Sequence, residues 1–183
     1  PESNCEWGCF DYNQQEPRLV VHYASLDQDA SVFNVKNAYN EGDADFHTIV
    51  AKMADIPRLQ AKTINLGLFY GMGKAKLQAE LGVSKEKAEE LFSVYHARVP
   101  FVKSLMKSVS NRAQHRGQIR TLLGRLCRFH LWEPNSFGMH KALPFEQAVQ
   151  EHGPGIRRAY TYKALNKLIQ GSAADMTKKS MLE

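Results

Sequence analysis

Arg58-Leu59-Gln60-Ala61-Lys62-Thr63-Ile64-Asn65-Leu66-Gly67-Leu68-Phe69-Tyr70-Gly71 is the stretch on which the reading of this chain turns. Arg58, Lys62, Leu66 and Tyr70 recur at intervals of four residues. Four residues of α-helix advance about 400°, so each side chain is rotated only about 40° from the one before. The result is one drifting stripe of two cations, an apolar residue and an aromatic ring. Cations one turn apart can hold neighbouring phosphates of a single ligand. An apolar side chain and a ring further along can hold a sugar and a base. The stripe therefore predicts a nucleoside triphosphate lying along a helix. An ordinary amphipathic helix with solvated cations has the same spacing, so the rest of the chain must decide between them.

The charge distribution points the same way. The net charge is +5, and from Leu91 to Trp132 there is no Asp or Glu. That stretch carries Arg98, Lys103, Lys107, Arg112, Arg116, Arg120, Arg125 and Arg128. Many cations without a compensating anion form an electrostatic footprint for a polyanion. A solvated face is the alternative. The spacing 103, 107, 112, 116, 120 keeps much of the charge on one side of a helix. Hydrophobic residues make up 43% of the chain, as in ordinary globular proteins. No apolar run approaches the roughly 20 residues of a membrane span, and no secretory signal pattern opens the chain. A cytoplasmic protein is expected. Cys5, Cys9 and Cys127 are odd in number and form no CxxC pair, which argues against a disulfide framework or structural zinc. Cys5 and Cys9 could share one face of a strand, but reduced, buried thiols are the expectation. The first residue is Pro1 and the last four, Ser180-Met181-Leu182-Glu183, read as helix, so a fragment of a longer protein is expected.

Along the chain, Glu6 to Phe10 reads as an aromatic-rich strand ending at Asp11. Arg18 to Leu26 reads as helix, and residues 27 to 45 as a loop broken by short helices. His47 to Ala54 reads as helix. Pro57 sits where the striped helix begins, and Gly71-Met72-Gly73 ends that helix. Lys74 to Leu81 follows as helix. Ser84 is a cap for Lys85 to Arg98, and a basic helix runs from Pro100 to about His115. Gln118 to Phe129 reads as a hairpin around Gly124, residues 130 to 155 as an irregular surface insertion, and Tyr160 to Met181 as a last helix.

Phe10-Asp11-Tyr12-Asn13-Gln14-Gln15-Glu16-Pro17-Arg18 resembles motif A of the family A DNA polymerases, usually D-Y-S-Q-I-E-L-R. The opening stripe resembles motif B of that family, R-x3-K-x3-[aromatic]-G-x2-Y-G. Three more stretches agree in order. Asp45-Phe46-His47 matches an Asp-x-His that precedes motif B. Thr121-Leu122-Leu123-Gly124-Arg125-Leu126-Cys127-Arg128 matches T-L-x-G-R-x-R. Asn166 to Asp175 matches N-x3-Q-G-x-A-A-D. The resemblance covers nearly the whole chain, with 130 to 155 its main unmatched region.

The resemblance implies an α+β, mostly helical fold: the fingers and part of the palm of a right-hand polymerase. Residues 1–26 would be palm with the motif A strand, 27–158 fingers, and 159–183 a palm helix on the primer-template. It implies template-directed transfer of deoxynucleotides by two-metal phosphoryl transfer. Asp11 would bind both Mg²⁺ ions, and the Tyr12 carbonyl would help hold one of them. Arg58 and His47 would contact the outer phosphates. Lys62 would contact the phosphate under attack and could protonate the leaving pyrophosphate. Leu66 and Tyr70 would border the sugar and the new base pair, with Gln14 at the edge of the same pocket. Glu16 would pack under the sugar and exclude a 2′-hydroxyl. Thr121, Arg125 and Arg128 would hold DNA, and Asn166 and Gln170 would meet the minor groove, where uncharged amides test pair geometry without reading sequence. The partners would be primer-template DNA, deoxynucleoside triphosphates and a further polymerase segment.

That further segment is motif C, a His-Asp-Glu turn that this sequence lacks. One metal carboxylate cannot hold two close metals, so the 183 residues alone are not expected to polymerise. Leu66 stands where the family usually has an aromatic ring, Pro17 replaces a Leu, and Tyr162 occupies a position that is often basic. These departures suggest a divergent, phage or viral member. Two alternatives stay open: a relative of single-subunit RNA polymerases, against which Glu16 argues, and a non-catalytic DNA-binding module.

Overall fold

The computed structural model describes residues 6–27, 29–42, 44–69, 72–136 and 138–182, with the side chain of Leu68 excepted. Tyr70 and Cys5 lie outside the described residues. Helix α1 (Gln15–Leu26) is followed by a 3₁₀ turn at Ala30–Val32 and by α2 (Phe33–Glu41), α3 (Phe46–Ala54) and α4 (Arg58–Phe69). Next come α5 (Lys74–Leu81), α6 (Lys85–Arg98) and α7 (Pro100–Arg116). A hairpin of β1 (Gln118–Arg120) and β2 (Leu126–Arg128) follows, with Ile119 opposite Cys127. Then β3 (Leu131–Pro134), β4 (Leu143–Pro144), α8 (Phe145–His152) and β5 (Ile156–Arg158) lead to the long α9 (Ala164–Ser180).

Helix α7 is the hub. Its buried residues, Phe101, Val102, Leu105, Val109 and Ala113, follow helical spacing and form one face. Helices α1, α6 and α9 pack on it. From α1 come Leu19, Val20, Val21 and Ala24; from α9 come Leu165, Leu168 and Ile169. Burying each large side chain of this kind contributes about 1.5–3 kcal/mol. Local signals set the boundaries. Pro100 occupies the first turn of α7, the Ser84 hydroxyl accepts from Lys87 N–H (3.2 Å) at the start of α6, and Asp45 caps α3 through His47 N–H (3.1 Å).

Three expectations are corrected. Residues 6–12 form no strand, because no neighbouring strand lies beside them among the described residues. Trp7 and Phe10 are exposed there, as is Cys9, while Cys127 is half-buried. Residues 130 to 155 are not irregular. They supply β3, β4 and α8, and with β5 they build an antiparallel sheet in the order β4-β3-β5. Trp132 packs edge-on against Phe145 (5.0 Å between centroids) beneath α8. Finally, Arg120 is not part of the basic helix: α7 stops at Arg116 and Arg120 lies on β1. All eight cations from Arg98 to Arg128 are exposed.

The insertion is fastened to α7 through Arg158. Its Nε donates to Gln114 O (3.1 Å), its Nη1 donates to Phe129 O (2.9 Å), and the guanidinium lies 4.4 Å from the Trp132 ring centroid. Gly117 ends α7 at φ +66°, and a Cβ there would meet Arg158 Cζ at 2.7 Å. Gly117→Ala is therefore expected to cost about 2–4 kcal/mol, combining left-handed backbone strain with displacement of Arg158, measured by urea unfolding.

Candidate nucleotide and DNA site

Helix α4 is divided as the stripe requires. Arg58 and Lys62 are exposed and Leu66 is half-buried, while Ala61, Ile64, Asn65 and Phe69 on the other side are buried. Helix α3 packs against α4 and brings His47 and Asp45 to it. The Asp45 carboxylate accepts from Arg58 Nε (2.7 Å) and from the Thr48 hydroxyl (2.6 Å), besides capping its own helix. Burial pushes this carboxyl up, but hydrogen bonds from Thr48, Arg58 and the His47 N–H outweigh it and bring it down to about 2. Arg58 is thus oriented through Nε while its side chain stays 58% exposed. His47 is 9% exposed, and its Nδ1 lies 3.0 Å from Asn65 Nδ2. Burial, with the charges of Arg58 and Lys62, lowers the imidazole below its ordinary value, against an opposing pull from Asp45.

These shifts carry a sign. A group whose folded value is depressed stabilises the fold above its unfolded value and loses that contribution as pH falls. The stability of the chain is expected to decline first below pH 6.5, as His47 and the similarly lowered His96 are forced to protonate, and again below 3.8, as Asp45 and Asp175 are neutralised. Thermal unfolding across this range checks it. Asp45→Asn should shrink the lower step and enlarge the upper one, because the Asp45 charge opposes the lowering of His47.

Motif A reaches this cluster through Gln14. Its backbone is left-handed (φ 54°), and its amide makes three hydrogen bonds. Nε2 donates to Ala44 O (2.9 Å), while Oε1 accepts from Phe46 N–H (2.8 Å) and the Tyr39 hydroxyl (2.9 Å). Gln14 therefore fastens the segment carrying Asp11 to the segment carrying His47. Asp11 and Tyr12 are exposed and line an open groove of about 570 Å³ with Gln15, Thr177, Ser180 and Met181. The Tyr12 hydroxyl bonds to Ser180, and Gln15 Nε2 donates to Ala173 O (3.1 Å) on α9. Glu16 is half-buried in the first turn of α1.

The hairpin residues are held from inside. The Thr121 hydroxyl and Arg125 Nε (2.8 Å) both donate to Asp175 of α9, and Arg125 Nη2 donates to Gly171 O (2.8 Å). Leu122 N–H donates to the Ser172 hydroxyl (3.0 Å), which also meets the Tyr23 hydroxyl (2.7 Å). Thr121 is thereby buried, whereas the Arg125 side chain remains 55% exposed. Arg128 and Gln170 are exposed and Asn166 is half-buried. Sequence reasoning passed over Asn65 and Asp175 as working groups. Asn65 had a signal: an amide on the apolar side of α4 must find buried partners.

Among the described residues, no group of three or more His, Cys, Asp or Glu side chains could hold a metal by itself. Asp11 and the Tyr12 carbonyl are hard oxygen donors of the kind Mg²⁺ takes, so they fit one edge of such a site. Among the same residues, no helix is long and apolar enough to cross a membrane.

Helix α4 thus exposes two cations one turn apart, near a buried histidine and a carboxylate-bearing segment. The chain belongs to DNA polymerase family A, whose family model matches residues 1–183. It is 33% identical over 224 residues to a DNA-directed DNA polymerase of Pseudomonas phage M6, covering 100% of this chain and 31% of that protein. It is 30% identical to DNA polymerase I of Bacillus caldotenax, covering 99% of this chain and 19% of that one. Among solved structures it is similar to the POL domain of Pol1 from M. smegmatis in complex with DNA primer-template and dNTP. That match has a TM-score of 0.69 and 30% identity, and covers 93% of this chain and 28% of the other. The chain thus spans about a fifth to a third of the length of these relatives.

Proposed function

We propose that this chain is the nucleotide-delivering portion of a DNA-directed DNA polymerase, comprising the fingers (27–158) and two flanking pieces of palm (1–26 and 159–183). The observation that carries the reading is the exposed Arg58–Lys62 pair on α4, with His47 and Asp45 beside it. Arg58, oriented by Asp45, and His47 bind the outer phosphates of a deoxynucleoside triphosphate. Lys62 neutralises charge that develops on the phosphate under attack and can give a proton to the departing pyrophosphate. Leu66 and Tyr70 border the sugar and base, Gln14 braces the pocket edge, and Glu16 excludes a 2′-hydroxyl. Bound Mg²⁺ would supply the Lewis-acid chemistry common to such enzymes, with Asp11 and the Tyr12 carbonyl among its ligands. Arg125 and Arg128 hold backbone phosphates, Thr121 supports them, and Asn166 and Gln170 face the minor groove. The partners are primer-template DNA, deoxynucleoside triphosphates and the segment that brings the missing carboxylates. By itself the 183-residue stretch does not extend a primer. A cytoplasmic site of action suits this work.

Glu16 sets this reading apart from an RNA polymerase. In a polymerase containing this chain, Glu16→Ala is expected to raise ribonucleotide incorporation by at least about tenfold relative to deoxynucleotides, the scale on which an excluded group is discriminated. Equal use of both sugars before mutation would overturn the assignment to DNA synthesis.

A further inference from the structure

Behind His47 runs a buried polar chain that has a direction. Tyr95 of α6 and Asn65 of α4 are both 0% exposed. Burial pushes the Tyr95 hydroxyl above its ordinary value, so it keeps its proton, and it donates to Asn65 Oδ1. An amide whose oxygen is taken by Tyr95 must turn its NH₂ the other way, toward His47 Nδ1 at 3.0 Å. That NH₂ can only donate, so Nδ1 must be the bare, accepting nitrogen, and the ring proton belongs on Nε2. Asn65 sits one turn from Ala61 and one turn from Phe69, both fully buried. An amide in such apolar surroundings is costly unless both its ends are bonded, and here they are.

We propose that Asn65, oriented by Tyr95, is a positioning residue of the nucleotide site that fixes the His47 imidazole in the tautomer offering an Nε2–H donor to a triphosphate oxygen. The proposal rests on the reading of His47 as a phosphate contact. Its physical content lies in the choice between two tautomers. With the proton on Nε2 the ring donates to an anionic oxygen, while the other tautomer would turn a lone pair toward it. Arg58 and Lys62 from α4, and Asp45 at the start of α3, are the charged groups that act on this ring. They leave its tautomer open, because a point charge does not select between the two nitrogens as a directed hydrogen bond does. Without the Tyr95 hydroxyl the Asn65 amide could rotate by half a turn, offer its oxygen to Nδ1–H, and select the opposite tautomer.

Nitrogen-15 NMR of the histidine-labelled chain tests this, with the His47 signals identified by their loss in His47→Gln. The expected result is a neutral ring bare at Nδ1 and protonated at Nε2. Tyr95→Phe removes one hydroxyl and keeps the ring in the core. Asn65→Leu removes both hydrogen bonds and keeps the same number of side-chain heavy atoms. Both variants are expected to shift the nitrogen signals toward a mixture of tautomers. Both should also weaken binding of a deoxynucleoside triphosphate by about tenfold, the scale of one hydrogen bond to a charged group, with thermal unfolding reporting that each is folded. A wild-type ring protonated at Nδ1, or signals unchanged in both variants, would overturn the proposal. So would triphosphate binding weakened by His47→Gln and by neither variant. If the tautomer shifts while His47→Gln and both variants bind as the wild type does, the phosphate role of His47 is what fails.

Discussion

Replacing Lys62 with alanine is expected to lower the rate of nucleotide transfer by about 10²–10⁴-fold, the usual contribution of a positioned proton donor, in a polymerase containing this chain. Stability should change by less than about 0.5 kcal/mol, because Lys62 is exposed and no ion pair among the described residues holds it. This combination is diagnostic. A solvated surface lysine would leave the rate unchanged, and a structural one would lower stability. Lys62→Arg keeps the charge but offers a far weaker acid, since guanidinium retains its proton. It should therefore restore triphosphate binding more fully than the rate, measured by single-turnover incorporation. Arg58 differs. Its Nε is taken by Asp45 and Thr48, so Arg58→Ala removes a phosphate contact and also leaves Asp45 with one donor fewer.

The second large effect is on the fold. Asp175→Ala is expected to destabilise the chain by about 2–4 kcal/mol, since removing one partner strands the others. The carboxylate is 9% exposed and receives the Thr121 hydroxyl and Arg125 Nε. Burial pushes it up, yet these two donors win and hold it below the ordinary carboxylate range. Arg125 is half exposed, so water takes over part of what it loses. The buried Thr121 hydroxyl is left with only its longer bond to Arg125 O (3.3 Å) as a donor. Urea unfolding gives the loss. A drop below about 0.5 kcal/mol, the usual scale of a surface substitution, would show that the hairpin docks on α9 by other means.

Much of this architecture is legible in the residues. Ser84, Pro100 and Gly117 are local signals, and they bound α6 and α7 where local rules say they should. The stripe on α4 is legible because helical period alone decides which side chains share a face. Pairing over distance is not legible. Strands β3, β4 and β5 are two to four residues long and find one another across a stretch rich in Gly, Pro and His, so no local pattern announces the sheet. The converse holds at residues 6–10, where the composition suits a strand and no neighbour among the described residues completes it. The same limit applied to side chains. Thr121 and Arg125 read as DNA contacts from their motif, but Asp175, 50 residues beyond Arg125, first fixes their positions. Asn65 and Tyr95 are 30 residues apart and meet only because α4 and α6 fold onto one core.

The central claim is that α4 carries a triphosphate on Arg58 and Lys62. Its most direct test is the rate at which an amine-specific reagent modifies Lys62 in the chain, followed by mass spectrometry with and without a deoxynucleoside triphosphate. The account predicts strong protection of Lys62 by the triphosphate, none by the deoxynucleoside alone, and unchanged labelling of Lys74 and Lys103 elsewhere on the surface. Labelling of Lys62 at the same rate with saturating triphosphate as without it would contradict the account.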